Sequence, residues 1–410
     1  MDLYPHQKQV LSEIKNKNKC ALYLDMGLGK TFVASEKMQE LNDDLVVIVC
    51  PKSVVSTWEI HIKRYYPQYQ VFTYNLPEEL LKKTVIIINY DLIWRRIEFL
   101  KLKDYTLILD ESQFIKNSKA TRTKFIMKLK FKNLILCSGT PTGGKYEELL
   151  TQCKLLGWQI TKETFWNMYI DYILIPINGY KMPKVIGYKN VEHLKQRLNQ
   201  YGAVFMKTEE AIDLPEQIDN VIKVENTLEY KNFKRDRMVN IGDKQLIGDT
   251  SLTRLLYLRQ LASQYNKNKL QALKDIIQST DDRLIIFYNF NEERRLITSL
   301  CEDKKLSIVC GDLKDLTHYE KYNNSVTFVQ YQAGATGINL QKANKVIYFS
   351  LPLSSELFEQ SKKRIHRIGQ KNTCMYYYLI TENSIEEKIF ETLKQRRDYT
   401  DELFKKEEQC

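Results

Sequence analysis

The stretch that decides the fold is "CALYLDMGLGKTFVASEKMQEL", residues 20–41. Its apolar start predicts a buried strand, the glycine-rich "DMGLGK" (25–30) predicts a loop, and the remainder is compatible with a helix. A strand, a glycine loop and a helix in this order form a phosphate-binding unit, because N–H groups of the loop and helix N-terminus hold phosphate oxygens. The strict motif begins with a glycine six residues before the lysine, and Leu24 occupies that place.

The residues of this loop have distinct predicted roles. Gly27 and Gly29 keep the loop open for the phosphates. Lys30 is expected to reach the β and γ phosphates of ATP, and Thr31 to bind Mg²⁺ through its hydroxyl. The alternative is an accidental glycine-rich turn between a strand and a helix, but the flanking apolar strand and the helix-compatible segment favour the phosphate loop.

Similar apolar runs recur along the chain and predict an α/β fold with two parallel sheets. Continuous hydrophobicity, rather than alternation, is typical of strands that are buried on both faces. We expect a first sheet domain at 1–145, a mostly helical insertion and linker at 146–263 with an irregular piece at 175–188, and a second sheet domain at 264–410. The predicted strands are 20–24, 45–51, 84–90, 105–111, 134–140, 283–290, 306–310, 326–332, 345–350 and 374–380.

Two further motifs follow apolar strands of the first domain. In "LILDESQ", Asp110 is the expected Mg²⁺ ligand and Glu111 the general base for the attacking water, because adjacent residues at a strand end point in opposite directions. Gln113 is expected to contact the γ-phosphate. In "CSGTPTGG" (137–144), Ser138 and Thr140 are expected to sense the phosphate state, since nucleotide sites form at the carboxyl ends of parallel strands.

The last third contains "EQSKKRIHRIGQ" (359–370). Gln360, Arg364 and Arg367 are spaced i, i+4, i+7, so on a helix they would form one polar stripe. The two arginines are candidates for arginine fingers that complete an ATP site across a cleft, with Gln360 beside them. A solvated basic helix face is the alternative, and the preceding "AGATGINL" loop, with Gly337 as a nucleotide contact, favours the functional interpretation.

Composition sets broad limits on function. The formal charge is +11, from 62 Lys and Arg against 51 Asp and Glu, which is compatible with a polyanionic partner. The eight cysteines never form a C-x-x-C pair, so we expect reduced thiols rather than disulfides or a zinc site. The sequence contains no run long enough for a membrane span and no signal core, so we expect a cytoplasmic protein.

The order of these motifs resembles superfamily-2 helicase-like ATPases, and within them the Swi/Snf-type DNA translocases. "DMGLGKT" is similar to the family's "DEMGLGKT", whose members also lack the first glycine, and "QSKKRIHRIGQ" is similar to "QAxxRxHRIGQ". The resemblance covers nearly the whole chain and implies two RecA-like domains. It also implies that Gln7 in "LYPHQKQ" reads adenine, and that Lys52, Ser53 and Asn289 contact DNA phosphates.

The sequence departs from the family pattern in several places. Gln113 stands where the family has histidine, which should change the coupling of ATP binding to DNA. Met206 and Lys207 stand where the family often has two arginines. The segment 311–330 is short and has no arginine-led helix, and we expect no bromo-, chromo- or zinc-binding module. The chain therefore resembles a minimal, monomeric motor of bacteria or their viruses.

The resemblance implies an ATP hydrolase that steps along double-stranded DNA. Two alternatives stay open from the sequence. One is a helicase that separates DNA strands or acts on RNA, since the motifs do not exclude either. The other is a nucleotide-regulated clamp or recruitment factor on a replication or transcription complex, although the intact catalytic set disfavours it.

Overall fold

The computed structural model describes residues 2–177, 179–301, 303–311, 313–334 and 338–404. These residues form two compact units, one containing 2–213 with 398–404 and the other containing 214–397. The region 146–263, for which the sequence predicts an insertion and linker, is divided between the two units at residue 213.

The first unit alternates helices and strands from its beginning. Its strands form a parallel sheet in the order β3-β4-β2-β5-β6-β1-β9, apart from the separate pair β7-β8. Its elements are α1 (Pro5–Glu13), β1 (Lys19–Leu24), α2 (Lys30–Leu41), β2 (Leu45–Cys50), α3 (Val55–Tyr65), β3 (Gln70–Thr73), β4 (Thr84–Asn89), α4 (Tyr90–Ile93), β5 (Thr106–Asp110), α5 (Thr121–Ile126), β6 (Asn133–Ser138), α6 (Leu150–Leu156), α7 (Lys162–Tyr169), β7 (Ile170–Ile177), β8 (Tyr180–Tyr188), α8 (Val191–Gln200), β9 (Ala203–Met206) and α9 (Thr208–Ala211).

Strand β1 shows why the apolar runs are continuous. Ala21 and Tyr23 belong to one buried cluster, whereas Cys20, Leu22 and Leu24 belong to another. Successive side chains of a strand point to opposite faces, so both faces of this sheet are covered by helices. The predicted α/β class is therefore confirmed, and the central strands β5, β6 and β1 end at the same edge.

One prediction about this unit is wrong. The segment expected to be irregular at 175–188 contributes residues 175–177 and 180–188 to an antiparallel ribbon in which Ile170 pairs with Tyr188 and Ile177 pairs with Tyr180. The prolines in this segment are compatible with the ribbon because each strand of a two-stranded ribbon has an open edge, where the missing N–H costs no ladder bond.

The second unit also contains a mainly parallel sheet. Its order is β10-β18-β17-β13-β16-β14-β15, in which the short β15 alone pairs antiparallel among the described strands of the sheet. Its elements are β10 (Gln217–Val224), α10 (Leu228–Asp236), β11 (Met238–Ile241), β12 (Lys244–Ile247), α11 (Ser251–Ala262), α12 (Lys267–Gln278), β13 (Leu284–Tyr288), α13 (Asn291–Ser299), β14 (Lys305–Val309), β15 (Lys314–Asp315), α14 (Thr317–Lys321), β16 (Ser325–Gln330), α15 (Tyr331–Gly334), β17 (Lys345–Tyr348), α16 (Ser355–Lys362), β18 (Cys374–Thr381) and α17 (Ile385–Phe404).

The core of the second unit follows the same physical rule. Ile285 and Phe287 of β13 point into one buried cluster, while Leu284, Ile286 and Tyr288 point into another. A smaller cluster, formed by α10, α11 and the β11-β12 hairpin, lies beside them. The prediction of a second α/β sheet in this part of the chain is confirmed.

Candidate active site

The loop between β1 and α2 has the backbone shape of an anion cradle. Gly27 and Gly29 have φ of +93° and +74°, a left-handed conformation that glycine adopts without strain. The Lys30 ammonium folds back over the loop and donates to the carbonyl oxygens of Leu24 (2.9 Å) and Asp25 (3.2 Å). The lysine therefore already lies where phosphate oxygens would replace these carbonyls as acceptors.

Gln7 of α1 lies directly against this loop. Its Nε2 donates to the carbonyl oxygen of Leu28 (3.2 Å), and its Oε1 accepts from the backbone N–H of Tyr4 (3.0 Å). A Cβ atom on Gly29 would lie 2.2 Å from Nε2 of Gln7, so a side chain at this position would displace the Gln7 amide. The residue predicted to read adenine is thus adjacent to the predicted phosphate loop.

Asp110 is the last residue of β5 and is partly buried. Its carboxylate accepts two hydrogen bonds. Trp58 Nε1 donates to its Oδ2 (2.8 Å), and the backbone N–H of Glu111 donates to its Oδ1 (3.1 Å). Burial and the charge of Glu111 raise the pKa of Asp110 to about 6, against the lowering effects of Trp58 and Lys30. A bound cation would favour the charged carboxylate, so this position suits a metal ligand.

Glu111 has an unusual backbone conformation. Its φ is +53°, and a left-handed residue with a side chain costs about 1–3 kcal/mol, which proteins retain mainly at functional sites. This conformation separates the directions of two adjacent carboxyl groups, since Asp110 faces Trp58 while Glu111 Oε2 accepts from Gln113 Nε2 (2.8 Å). The arrangement fits the predicted division between a metal ligand and a general base.

A chain of hydrogen bonds connects this acid to the next strand end. Gln113 donates to Glu111 through Nε2 and accepts from the Ser138 hydroxyl through Oε1 (2.7 Å). Ser138 Oγ in turn accepts from the backbone N–H of Thr140 (3.0 Å). The structure therefore brings four predicted site residues into one continuous connection, which we call the Gln113 relay: Glu111, Gln113, Ser138 and Thr140.

The loop after β6 also touches the phosphate loop. A Cβ atom on Gly139 would lie 3.3 Å from Lys30 Nζ and 3.2 Å from Met26 Cγ. This spacing is tighter than ordinary van der Waals contact, so a side chain here would displace its neighbours. The lysine and the Gln113 relay are thereby placed side by side at the carboxyl ends of β1 and β6.

The residues present also fit a magnesium ion. Thr31 lies in the first turn of α2, and its carbonyl oxygen accepts from Ser35 Oγ (2.8 Å). Within the described ranges, no cluster of three or more His, Cys, Asp or Glu side chains is arranged to hold a metal. The Thr31 hydroxyl and the Asp110 carboxylate are oxygen donors of the kind that Mg²⁺ prefers, and they stay the predicted ligands of such an ion.

The predicted helical stripe in the second unit is not formed. Helix α16 ends at Lys362, so Arg364 and Arg367 lie in the turns that follow it. Carbonyl oxygens at the end of this helix and in the turns after it also accept from other elements. Tyr376 Oη donates to the carbonyl of Lys362 (3.1 Å), and the N–H of Leu340 donates to that of Arg364 (3.2 Å).

The individual side chains of this segment differ in their surroundings. Arg364 is buried, whereas Arg367 is partly exposed and donates to Asn339 Oδ1. Burial lowers the pKa of the Arg367 guanidinium. Gln360 is on α16, and its Oε1 is buried without a hydrogen-bond partner among the described residues. Gly337 lies outside the described residues.

The residues predicted to contact DNA have different environments. Lys52 and Ser53 form an exposed single turn directly after β2. Asn289 follows β13, and its Nδ2 donates to Ser350 Oγ (2.8 Å) and to the carbonyl of Leu351 (3.1 Å). Lys52 and Ser53 are accessible to a ligand, whereas the donor end of Asn289 is occupied by contacts within its own unit.

Comparison with known families agrees with the motif order. A family described as the SNF2-related domain matches residues 6–270. The chain belongs to the SNF2-related family. A second family, the helicase conserved C-terminal domain, matches residues 268–369 of this SNF2-related protein. Among the described residues, no helix has both the length and the hydropathy required to cross a membrane.

Individual relatives of this SNF2-related chain are distant. It is 25% identical over 419 residues to an uncharacterized ATP-dependent helicase of Mycoplasma pneumoniae, covering 91% of this chain and 39% of the relative. It is 24% identical over 430 residues to a SWI/SNF-related matrix-associated actin-dependent regulator of chromatin subfamily A-like protein 1 homolog of Caenorhabditis elegans, covering 97% of this chain and 61% of the relative.

One solved structure is also similar to this chain at low sequence identity. The Sulfolobus solfataricus SWI2/SNF2 ATPase core in complex with dsDNA is 22% identical, with a TM-score of 0.47, over 98% of this chain and 92% of that one. The SNF2-related chain spans between about two fifths and three fifths of the length of the two curated relatives named above.

Sequence reasoning missed two contacts of the SNF2-related site. Trp58 holds Asp110, although its position in α3 carries no motif signal. Asp25 Oδ2 accepts from the Thr208 hydroxyl (2.9 Å), which joins the phosphate loop to α9. The parallel pairing of β9 with β1 brings Thr208 there, and the sequence pattern does not reveal that pairing.

Proposed function

We propose that this chain is an ATP-dependent motor that moves along double-stranded DNA. The observation that carries the proposal is the Gln113 relay beside Lys30. It connects the expected hydrolytic base to a second strand end, so a change at the γ-phosphate can be transmitted into the protein. Membership of the SNF2-related family and the basic charge of +11 support DNA as the track.

The chemistry assigns each residue a task toward ATP. Lys30 exchanges its carbonyl partners for phosphate oxygens and offsets their charge. Thr31 and Asp110 would hold Mg²⁺, which neutralises charge on the β and γ phosphates. Glu111 would take a proton from the water that attacks the γ-phosphorus, while the bond to the β-phosphate oxygen breaks. The adenine contact of Gln7 and the fingers Arg364 and Arg367 remain predictions.

The proposal includes the partner and the setting. Exposed Lys52 and Ser53 are proposed to hold phosphates of the DNA backbone, because such contacts position a protein without reading sequence. Asn289 would contact a DNA phosphate only if its hydrogen bonds to Ser350 and Leu351 were replaced by that contact. The motor is expected to act as a monomer in the cytoplasm of a bacterial or phage-infected cell.

The deciding experiment compares ATP hydrolysis with duplex DNA, single-stranded DNA, RNA and no nucleic acid. Stimulation by duplex supports the motor. Stimulation by single strands or RNA alone would instead support a strand-separating helicase, and no stimulation would favour a nucleotide-regulated clamp.

The site assignment is tested by Lys30→Ala. Loss of its charge at the phosphates should reduce turnover by about 100-fold or more, without changing the folded state. Lys63→Ala, which removes an exposed lysine from α3, is the matched control and should retain turnover. Equal activity of the two variants would contradict the site.

A further inference from the structure

The β7-β8 ribbon is fixed at its base and exposed beyond it. Tyr188 stacks on Tyr146 with ring centroids 4.3 Å apart, and Trp166 contacts Tyr172 edge to face at 5.4 Å. Lys189 and Asp171 form an ion pair of 3.2 Å at the same end. The base is thus packed on the first unit, and the orientation of the ribbon is defined by that packing.

Large apolar side chains are exposed along the ribbon. The exposed fraction of Tyr180 is 76%, and that of Leu174 is 56%. Isolated exposed apolar residues are ordinary, but several together on one projecting element indicate a contact surface. The exposed large apolar residues of the ribbon are Tyr172, Ile173, Leu174, Tyr180, Met182 and Ile186.

The charge of the ribbon has one sign beyond its base. Lys181 and Lys184 are both exposed, and the sequence from Tyr172 to Tyr188 contains no Asp or Glu. Lys184 pairs across the ribbon with Ile173, and Lys181 pairs with Pro176. The two lysines are three residues apart on a regular strand, so they lie on opposite faces of the ribbon, and each face combines one lysine with apolar side chains.

The edges of the ribbon are unsuited to pairing with another protein strand. Each strand contains a proline, Pro176 and Pro183, which has no N–H to donate. A bulge lies between Asp171 and Tyr172, and lysines occur on β8. These features protect an edge against strand addition, and a second copy would also bring lysines toward lysines.

We propose that the β7-β8 ribbon lies in the major groove of a nucleic-acid duplex. A two-stranded ribbon fits this groove, which is about 12 Å wide, and eight residues at about 3.3 Å each give a length of about 26 Å. The face that carries Ile173, Tyr180 and Met182 contacts thymine methyl groups, and Lys184 on this face and Lys181 on the other bind phosphates at the groove edges. The identity of the duplex as DNA rests on the proposed function.

The first test measures affinity for a duplex without ATP at several salt concentrations. Each lost phosphate contact reduces the slope of log K against log salt by about 0.9, so Lys181→Ala/Lys184→Ala should reduce it by about 1.8. Tyr180→Ser/Met182→Ser should weaken binding at all salt concentrations and leave the slope unchanged. Lys128→Ala/Lys130→Ala, which changes exposed lysines between α5 and β6, is the matched control.

The second test places the ribbon in the groove directly. Duplex DNA that contains 5-iodouracil carries its photoreactive iodine in the major groove, and irradiation should join it to Tyr180. The cross-link should disappear in Tyr180→Ser and persist in Ile97→Ser, which changes another exposed apolar residue. Cross-links only outside the ribbon would overturn the proposal.

The outcomes separate this inference from the motor itself. If the ribbon variants weaken duplex binding but duplex DNA does not stimulate ATP hydrolysis, the ribbon proposal is supported and the motor is contradicted. If duplex DNA stimulates ATP hydrolysis but the ribbon variants bind duplex as well as Lys128→Ala/Lys130→Ala does, the motor is supported and the ribbon proposal is overturned. Ribbon variants that change only the oligomeric state, measured by size-exclusion chromatography, would identify a second copy as the occupant.

Discussion

The Ser138 hydroxyl donates a hydrogen bond of 2.7 Å to Oε1 of Gln113, joining strand ends that are 25 residues apart in sequence. The Nε2 of the same amide donates to Glu111. Because an amide has a separate donor and acceptor, these two bonds fix its orientation. The Gln113 amide therefore connects the Glu111 carboxylate directly to the Ser138 hydroxyl.

The relay predicts that Gln113→Ala and Ser138→Ala act on the same step. Each should reduce the turnover number about tenfold and change ATP affinity little, since a positioned catalytic group contributes at least about that factor. The double variant should be no slower than the slower single variant, because both break one connection. Steady-state hydrolysis and binding of a fluorescent nucleotide provide the measurements.

The control for the relay is Ser299→Ala, which removes an exposed hydroxyl that donates only to a carbonyl of its own helix. It should hydrolyse ATP at the wild-type rate. Multiplicative losses in the double variant would show that Gln113 and Ser138 act independently, contrary to the relay.

Gly139→Ala should disturb Lys30 without changing any polar group. The new methyl group would lie 3.3 Å from Lys30 Nζ and must move it by a few tenths of an ångström. A displacement of about 1 Å can cost about 100-fold in rate, so a loss of about tenfold is expected. Hydrolysis at saturating ATP, together with ATP affinity, measures the effect.

The matched control for this change is Gly187→Ala in β8. Its Cβ would make an ordinary contact of 3.9 Å with Asp171, so activity should be retained. Wild-type turnover of Gly139→Ala would show that Lys30 is not constrained by the loop after β6.

The parts of the site that could be predicted from sequence are those set by local pattern. Strands buried on both faces give continuous apolar runs, and the glycine loop and the acids at 110–111 directly follow two such runs. Parallel strands then bring these residues to one sheet edge. No knowledge of packing was needed to place Lys30 near Asp110.

The parts that could not be predicted depend on packing between distant segments. Trp58 reaches Asp110 because of the way α3 covers the sheet, and a tryptophan in an amphipathic helix is otherwise an ordinary core residue. Helix α16 ends before Arg364, and the Lys362 carbonyl at its end accepts from the Tyr376 hydroxyl, which is on the next strand. The i, i+4, i+7 spacing of Gln360, Arg364 and Arg367 predicts a longer helix than the one in the structure.

Asp219→Asn should lower stability in a pH-dependent way. Burial acts to raise the pKa of Asp219, but Lys362, the Tyr378 hydroxyl and Arg397 together hold it below the ordinary value of 3.8. A lowered folded pKa contributes stability that is complete above the unfolded pKa and is lost as pH falls through the folded pKa. The difference in unfolding free energy between wild type and variant should therefore shrink as pH falls below 3.8, as measured by urea titration.

The control for this acid dependence is Asp281→Asn, because the Asp281 side chain is 93% exposed and its pairing with Lys304 is screened by solvent. Its unfolding free energy should differ little from wild type at any pH. A constant difference between wild type and Asp219→Asn across the acid range would contradict the assigned stabilisation.

Lys269→Met should destabilise the second unit strongly. Lys269 Nζ donates to both carboxylate oxygens of Glu386, at 2.6 and 2.7 Å, and both side chains are almost fully buried. Removing one partner leaves a buried carboxylate with reduced compensation, which costs about 3–5 kcal/mol. Denaturant unfolding at neutral pH should show this loss, and Lys269→Met/Glu386→Leu should recover much of it because no buried charge remains.

Arg295→Ala is the control for Lys269→Met. Arg295 and Glu292 also form a close pair of 2.6 Å, but the arginine side chain is 70% exposed, so its loss should change stability little because solvent screens the pair. The two ion pairs have similar distances, but only the pair of Lys269 and Glu386 is buried. A large loss of unfolding free energy in Lys269→Met alone would therefore show that burial of the charges causes the effect. Equal losses in the two variants would show that the buried pair contributes no more than a surface pair.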